Sequence, residues 1–171
     1  MNRNIGFLMV LITIAFLFSY CERETLNDDN NDKTKTGPAG NVINDIFIDD
    51  FGVKWFATDK GLSSYDDNEW KIHDVSNLGN VVLEDIVFEE SSYGKEMWIA
   101  SHAGATVATY TVDGISSATT YTTSNSDIAG NVVKAVGVDT FHRRWFGTDA
   151  GVSSWKGSEW EKYSVGNEEI T

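Results

Sequence analysis

Residues 55–65 have the sequence WFATDKGLSSY, and residues 145–155 repeat it as WFGTDAGVSSW. A looser copy, WIASHAGA, lies between them at residues 98–105. The first tryptophans of the three copies are 43 and 47 residues apart. Self-similarity at a fixed period of this length is typical of repeat proteins, in which each unit buries its apolar face only against a neighbouring unit.

The first repeat contains four short apolar segments separated by polar turns. The predicted strands are residues 42–49, 53–58, 62–65 and 69–73, which together form an antiparallel meander. Gly61 stands where a tight turn needs a positive φ. Repeat three matches repeat one at a constant offset of 90 residues without a gap, so that Trp70 corresponds to Trp160.

The second repeat is less regular. Its predicted strands are residues 81–89, 97–101, 105–110 and 118–123. Residues 90–96 are predicted to form a turn three residues longer than its counterpart in repeat one. In the fourth strand, Tyr121 is expected to take the place of Trp70 and Trp160.

The adjacent aromatics Trp55 and Phe56 predict that both faces of the strand are covered, because a strand with one wet face alternates apolar and polar residues. Radially stacked four-stranded sheets provide such cover. We therefore predict an all-β partial β-propeller with three four-stranded antiparallel blades fanned about a common axis. Its repeat signature is structural, with each buried aromatic contributing roughly 1.5–3 kcal/mol. The signature residues are Trp55, Thr58, Gly61, Trp70, Trp98, Gly104, Trp145, Thr148, Gly151 and Trp160.

The pattern Trp-Phe-Gly-Thr-Asp-x-Gly-Val, with a strand ending in Asp six residues before the Trp, resembles the two-component regulator propeller repeat. The resemblance covers about residues 41–163. It implies β-propeller blades, which in this family often form periplasmic sensor regions of hybrid histidine kinases. Exported lipoproteins and secretion-associated proteins of Bacteroidetes also carry the repeat. The family brings no universal catalytic residues.

The N-terminus predicts export. Arg3 is followed by an apolar run over residues 5–18, which is long enough for a signal-peptide core and too short to span a bilayer. The run ends close to Cys21, the single cysteine, and resembles a bacterial lipoprotein signal. The resemblance implies cleavage before Cys21 and attachment of lipid there. An uncleaved anchor, or an ordinary signal with an incidental cysteine, is the alternative.

Composition supports the remaining domain predictions. Residues 1–20 are the predicted signal peptide and residues 21–40 a polar, acidic, flexible tether. Residues 41–78, 79–129 and 130–165 are the predicted blades, and residues 166–171 the start of a truncated fourth blade. Three blades do not close a ring, so we expect a fragment of a longer protein; closure by a partner subunit and an open stack are the alternatives.

Charge and cysteine count exclude several classes of protein. The chain has 13 Lys and Arg against 26 Asp and Glu, a formal charge of −13. Nucleic-acid binding needs a basic surface and is not expected. A lone cysteine excludes an intrachain disulfide and a cysteine-based zinc site.

Candidate ligand-binding residues lie in the turns between the second and third strands. Asp59, Lys60, His102 and Asp149 occupy these turns, which in propellers open on the same face as the connectors between blades. They could gather a cation or a sugar hydroxyl; alternatively, the aspartates only stabilise turns through backbone N–H groups.

No metal site or cofactor is predicted, because His73, His102 and His142 occupy unrelated repeat positions and metal ligands must converge. No nucleophile motif is present. We therefore predict a non-catalytic binding or sensing module of the cell envelope, periplasmic or on the outer membrane. It would be held by a lipid anchor and would bind an unidentified glycan or protein. The alternatives are the periplasmic sensor region of a hybrid histidine kinase and a propeller-fold lyase or glycan-active enzyme.

Overall fold

The computed structural model describes residues 37–74, 78–91, 94–111 and 114–165, with only the backbone described at residues 91 and 94. The predictions for the signal peptide, Cys21, most of the tether and residues 166–171 lie outside these ranges. In the described part of the chain, no helix is long and apolar enough to cross a membrane.

Twelve strands form three four-stranded antiparallel sheets, each a simple meander in sequence order. These sheets are blades 1, 2 and 3. Blade 1 contains β1 (Ile43–Ile48), β2 (Lys54–Thr58), β3 (Gly61–Tyr65) and β4 (Trp70–His73). Blade 2 contains β5 (Leu83–Ser91), β6 (Gly94–Ser101), β7 (Gly104–Thr111) and β8 (Gly114–Tyr121). Blade 3 contains β9 (Val133–Val138), β10 (Arg144–Thr148), β11 (Gly151–Lys156) and β12 (Glu159–Tyr163).

The first strand of each blade lies nearest the centre of the fan. β1 contacts β5, and β5 contacts β9. The second strands β2 and β6 also reach the inner strand of the following blade. The predicted fold class, a partial propeller of three four-stranded antiparallel blades, is therefore confirmed.

Side chains on the second strand of each blade alternate between its two neighbours. Trp55 faces blade 2 and Trp98 faces blade 3, so the tryptophan marks the face toward the following blade, which we call the following face. The next residue along points the other way. Ile99 packs against blade 1 and Phe146 against blade 2, on what we call the preceding face. Trp98 and Ile99 are both fully buried, because blade 2 is covered on both sides.

The blade turns are closed by a hydroxyl group in each repeat. Thr58 donates from Oγ1 to the carbonyl oxygen of Gly61 and accepts the N–H of Lys60. Ser101 and Thr148 make the same pair of bonds in blades 2 and 3. Gly61 has φ 120°, a conformation that L side chains rarely adopt. These hydroxyl groups therefore serve the turn.

Blade 2 departs from the predicted hairpin. Residues 90, 91 and 94–96 are in strands and not in the predicted long turn, because β5 and β6 remain paired from Glu89 with Glu96 out to Ser91 with Gly94. The extra residues lengthen both strands instead. The fourth strand also begins earlier than predicted, at Gly114. Because the added residues extend both strands of the hairpin equally, the hydrogen-bond ladder between the strands stays intact. A longer loop would not extend that ladder.

The register of β8 corrects the position of Tyr121. Tyr121 pairs with Ala105, as His73 pairs with Leu62 and Tyr163 with Val152. It therefore corresponds to His73 and Tyr163 and not to Trp70 and Trp160. Ala118 holds the position of those tryptophans, opposite Ala108. The early start and the irregular pairing near Tyr110 shift the register of this strand relative to the simple sequence count.

A carboxylate at the end of the first strand fixes the signature tryptophan in two blades. Asp49 Oδ2 accepts the indole N–H of Trp55 at 2.9 Å, and its Oδ1 accepts the backbone N–H groups of Phe51 and Val53. Asp139 makes the equivalent three bonds in blade 3, including one to the indole of Trp145. These bonds connect the first turn to the following face of each blade.

Blade 2 has a glutamate, Glu89, at this position. Among the described residues, the fully buried indole N–H of Trp98 has no hydrogen-bond partner. Glu89 turns instead toward blade 3, where it meets Arg144 at 2.6 Å. Blades 1 and 3 thus have an Asp that bonds within its own blade, whereas blade 2 has a Glu that forms an ion pair with the next blade.

We expect Asp49→Ala to lower the free energy of unfolding by about 2–3 kcal/mol, because it leaves a buried indole N–H and two turn N–H groups without their acceptor. The matched variant Asp139→Ala removes the same bonds at the more exposed margin of blade 3 and should cost less. Urea unfolding followed by tryptophan fluorescence measures both values. Equal losses would contradict the dependence on burial.

Candidate functional site

The turns that carry the predicted ligand-binding residues lie at one end of the blades, which we call the loop end. The backbone N–H of Asp59 bonds the carbonyl of Val42, and that of His102 bonds the carbonyl of Val82. The N–H of Asp149 bonds Val132 in the same way. Each turn is thereby tied to the connector entering its own blade, so turns and connectors share this end, as predicted.

The two aspartates are held against the connectors. Asp59 Oδ1 accepts the N–H of Val42 at 3.3 Å, and a Cβ added at Gly40 would lie 1.9 Å from that oxygen. Asp149 Oδ1 stands in the same relation to Gly130, where the added Cβ would lie 2.5 Å away. Both carboxylates are therefore packed against glycine backbone, which favours the turn-stabilising alternative for these two residues. The Lys60 backbone carbonyl accepts the N–H of Asn80.

His102 is the predicted residue that reaches other polar side chains. Its Nε2 lies 2.7 Å from Glu84 Oε1 and 3.1 Å from Lys134 Nζ. Lys134 also lies 3.0 Å from Glu84. The three side chains connect blade 2 with blade 3 at the loop end. The hydrogen bonds from Lys134 and His102 hold the pKa of Glu84 below its usual range.

Glu84 and Lys134 were not predicted as site residues, although alignment of the repeats places them at equivalent positions. Both stand one residue after the start of their inner strands, at the position that Asn44 occupies in blade 1. Asn44 donates from Nδ2 to the carbonyl of Leu83 at 2.7 Å. The equivalent position in all three blades therefore carries a polar side chain that reaches a neighbouring blade.

Two carboxylates lie within the inner strands, one residue after this polar position. Asp45 Oδ2 accepts the backbone N–H of Ile86 in blade 2, and Asp85 Oδ2 accepts that of Val136 in blade 3, both at 2.9 Å. Burial, together with the neighbouring Asp45 carboxyl group, raises the pKa of Asp85. Blade 3 has Ala135 at this position. These bonds satisfy N–H groups on the edges of inner strands, where no further strand is paired.

The polar side chains at the loop end of the axis form what we call the axial site. It offers carboxylate acceptors, an ammonium donor, an amide and an imidazole on neighbouring inner strands and turns of the three blades. Such a mixture of hydrogen-bond donors and acceptors suits a ligand with many hydroxyl groups, which both donate and accept hydrogen bonds. Among the described residues, no group of three or more His, Cys, Asp or Glu side chains is arranged to hold a metal ion. The axial site consists of Asn44, Asp45, Glu84, Asp85, His102 and Lys134.

The other two histidines lie away from the axial site. His142 Nδ1 contacts Glu89 Oε1 at 2.6 Å at the opposite end of the blades, beside Arg144. Arg144 also contacts Glu96, and its guanidinium lies 5.4 Å from the ring centre of Trp98. This buried ion cluster fixes blade 3 against blade 2. Since breaking such a cluster strands a buried charge, its role is structural.

His73 is packed within blade 1. Its Nε2 lies 2.8 Å from Ser64 Oγ, and its ring lies 5.0 Å from that of Trp55. Tyr121 and Tyr163 hold the same position in the other blades and stack on Trp98 and Trp145. His73 is thus an aromatic packing residue, and the hydroxyl of Ser64 is its hydrogen-bond partner.

No family model matches the chain, and no curated protein does. The extracellular domain of a protein assigned to the hybrid two-component systems of B. thetaiotaomicron is similar over 72% of this chain, with 25% identity and a TM-score of 0.60. The match covers 17% of the chain of that extracellular domain. A second extracellular domain from the same organism, assigned to a one-component system, has 14% identity over 76% of this chain and a TM-score of 0.37, too low to carry an argument.

The pKa of His73 gives a pH prediction. Burial, with a smaller effect of Lys71, lowers this pKa to about 4. Between about pH 4 and pH 6.5 the unfolded chain therefore binds a proton at His73 that the folded chain does not bind. The stability present above about pH 6.5 falls as the pH drops toward 4. We expect His73→Tyr, which supplies the residue found in the other two blades, to lose less stability between pH 7 and pH 5 than the parent chain. Urea unfolding at the two pH values tests this, and an equal loss in both chains would contradict it.

Proposed function

We propose that this chain is an extracytoplasmic binding module of a cell-envelope sensing protein, and that it engages a hydroxyl-rich ligand such as a glycan at the axial site. The observation that carries the proposal is the likeness to the extracellular domain of a hybrid two-component system. The predicted signal peptide and lipid attachment at Cys21 support an envelope location. The module is proposed to act by binding and not by catalysis.

The geometry supports a binding role in two ways. The blades are held rigidly by buried aromatics and by the Glu89–Arg144 ion cluster, so the axial site sits on a stiff scaffold. Its side chains come from three blades and converge at the loop end, where Glu84, His102 and Lys134 already form a connected network. A ligand hydroxyl can replace one of these contacts without leaving a charge unpaired.

The same likeness supports a second candidate, a sensor region within a longer hybrid histidine kinase. It is favoured because the similar structure is the extracellular domain of a hybrid two-component system and because the match covers only 17% of that domain's chain. The lipoprotein-like signal favours the stand-alone envelope protein, since kinases are held by membrane helices. Both candidates place the same site outside the cytoplasm, and both need further blades or a partner subunit to complete a ring.

We expect the full chain to bind members of a panel of neutral gluco-, manno-, galacto- and xylo-oligosaccharides, measured by isothermal titration calorimetry. Lys134→Ala should weaken binding about tenfold or more, because a charge-assisted hydrogen bond is lost. The matched control Lys156→Ala removes the same charge from an exposed position at the far end of β11 and should bind as the parent does. Equal weakening in both variants, or no binding across the panel, would refute the proposal.

A further inference from the structure

Within the described ranges, no blade packs against the two outermost faces of the fan, and the preceding face of blade 1 is apolar. On the preceding face of blade 1, the ring of Trp70 lies 4.9 Å from those of Phe56 and Tyr65. Around this aromatic group, Ile46 is 54% exposed and Ile72 is 61% exposed. Soluble proteins seldom leave a contiguous apolar surface of this kind without a partner.

The interface between blades 2 and 3 shows what covers such a face. In blade 3 the equivalent preceding face carries Phe146, Trp155 and Trp160. Trp98 and Tyr121, on the following face of blade 2, pack onto it. The ring centres of Trp98 and Phe146 are 5.6 Å apart, and those of Tyr121 and Trp160 are 5.4 Å apart.

The following face of blade 3 has the residues that this role requires. Trp145 and Tyr163 stack with ring centres 5.6 Å apart, in the positions that Trp98 and Tyr121 hold in blade 2. Tyr163 is 43% exposed, and its strand neighbour Val152 is 40% exposed. The described fan therefore carries the aromatic pair on one outer face and, on the other, the three-ring surface that receives such a pair.

The charged residues at this level differ between the blades. Arg144 on the preceding face of blade 3 meets Glu89 on the following face of blade 2. Lys54 holds the position of Arg144 in blade 1 and pairs with Asp67 of the same blade. Asp139 holds the position of Glu89 in blade 3 and bonds within its own blade. The correspondence between the two outer faces is therefore carried by their aromatic residues.

From this internal equivalence we propose that two copies of this chain associate head to tail, with the following face of blade 3 in one copy packed on the preceding face of blade 1 in the other. Trp145 and Tyr163 of one copy contact Phe56, Tyr65 and Trp70 of its partner. Two such interfaces close a ring of six blades, within the range of four to eight found in closed propellers. The proposal concerns self-association and does not depend on the proposed ligand.

The first test is the mass of the full chain purified in a mild detergent, measured by light scattering with the detergent contribution subtracted. We expect twice the chain mass. Ile72→Glu places a charge on the preceding face of blade 1 and should yield the monomer, whereas Ser117→Glu adds the same charge on exposed β8 and should leave the dimer intact. A monomeric parent chain, or equal dissociation by both variants, overturns the proposal.

The second test is crosslinking with a short thiol-reactive bifunctional reagent in a Cys21→Ser background, which removes the native thiol. Chains carrying Trp70→Cys and chains carrying Tyr163→Cys are prepared separately and then mixed. A head-to-tail interface predicts a crosslinked dimer in the mixture and in neither chain alone. Lys156→Cys in place of Tyr163→Cys is the control and should give none. A crosslink in either single variant, or none in the mixture, contradicts this arrangement even where the mass is that of a dimer.

Discussion

Successive side chains of a β-strand point to opposite faces, and this constraint governs the whole molecule. The second strand of each blade places two large apolar residues side by side, so neither face of the blade can remain in water without cost. In blade 2 both demands are met, since Trp98 packs on blade 3 and Ile99 packs on blade 1. When blades stack about an axis, the same contact between neighbouring blades buries every such pair of apolar residues.

The same stacking determines how the inner strands end. An inner strand has a partner on one side only, and its free N–H groups face the axis. Asp45 and Asp85 satisfy one such N–H in the following blade, which links neighbouring blades by a direct bond as well as by packing. These carboxylates must lie on the axis to reach the free N–H groups. The loop end of the propeller is therefore polar as a consequence of the way its strands are joined. The axial site therefore uses groups that the fold already requires there.

Periodicity in the sequence predicted the blades because the turn chemistry and the paired aromatics recur at fixed positions. Trp55 and Trp145, with Thr58 and Thr148, identify the second strand and its turn unambiguously. The register of the fourth strand was harder to predict in the less regular blade 2. The position of Tyr121 depends on an early strand start and an irregular pairing that composition does not reveal. The partners of His102 were missed for a different reason. Glu84 and Lys134 are distant in sequence, and only the contact between β5 and β9 brings them together.

We infer that blade 2, covered on both faces, joins the three blades into one cooperative unit. Native-state hydrogen exchange of Trp98→Ala tests it most directly, because this substitution removes a buried side chain from the interface with blade 3 alone and should cost about 3–5 kcal/mol. We expect amide protection to fall by a similar amount in β10 of blade 3, in β6 of blade 2 and in β2 of blade 1, which Trp98 does not touch. Loss of protection confined to blades 2 and 3, with β2 unchanged, would show that the blades are stabilised independently and would contradict this cooperativity.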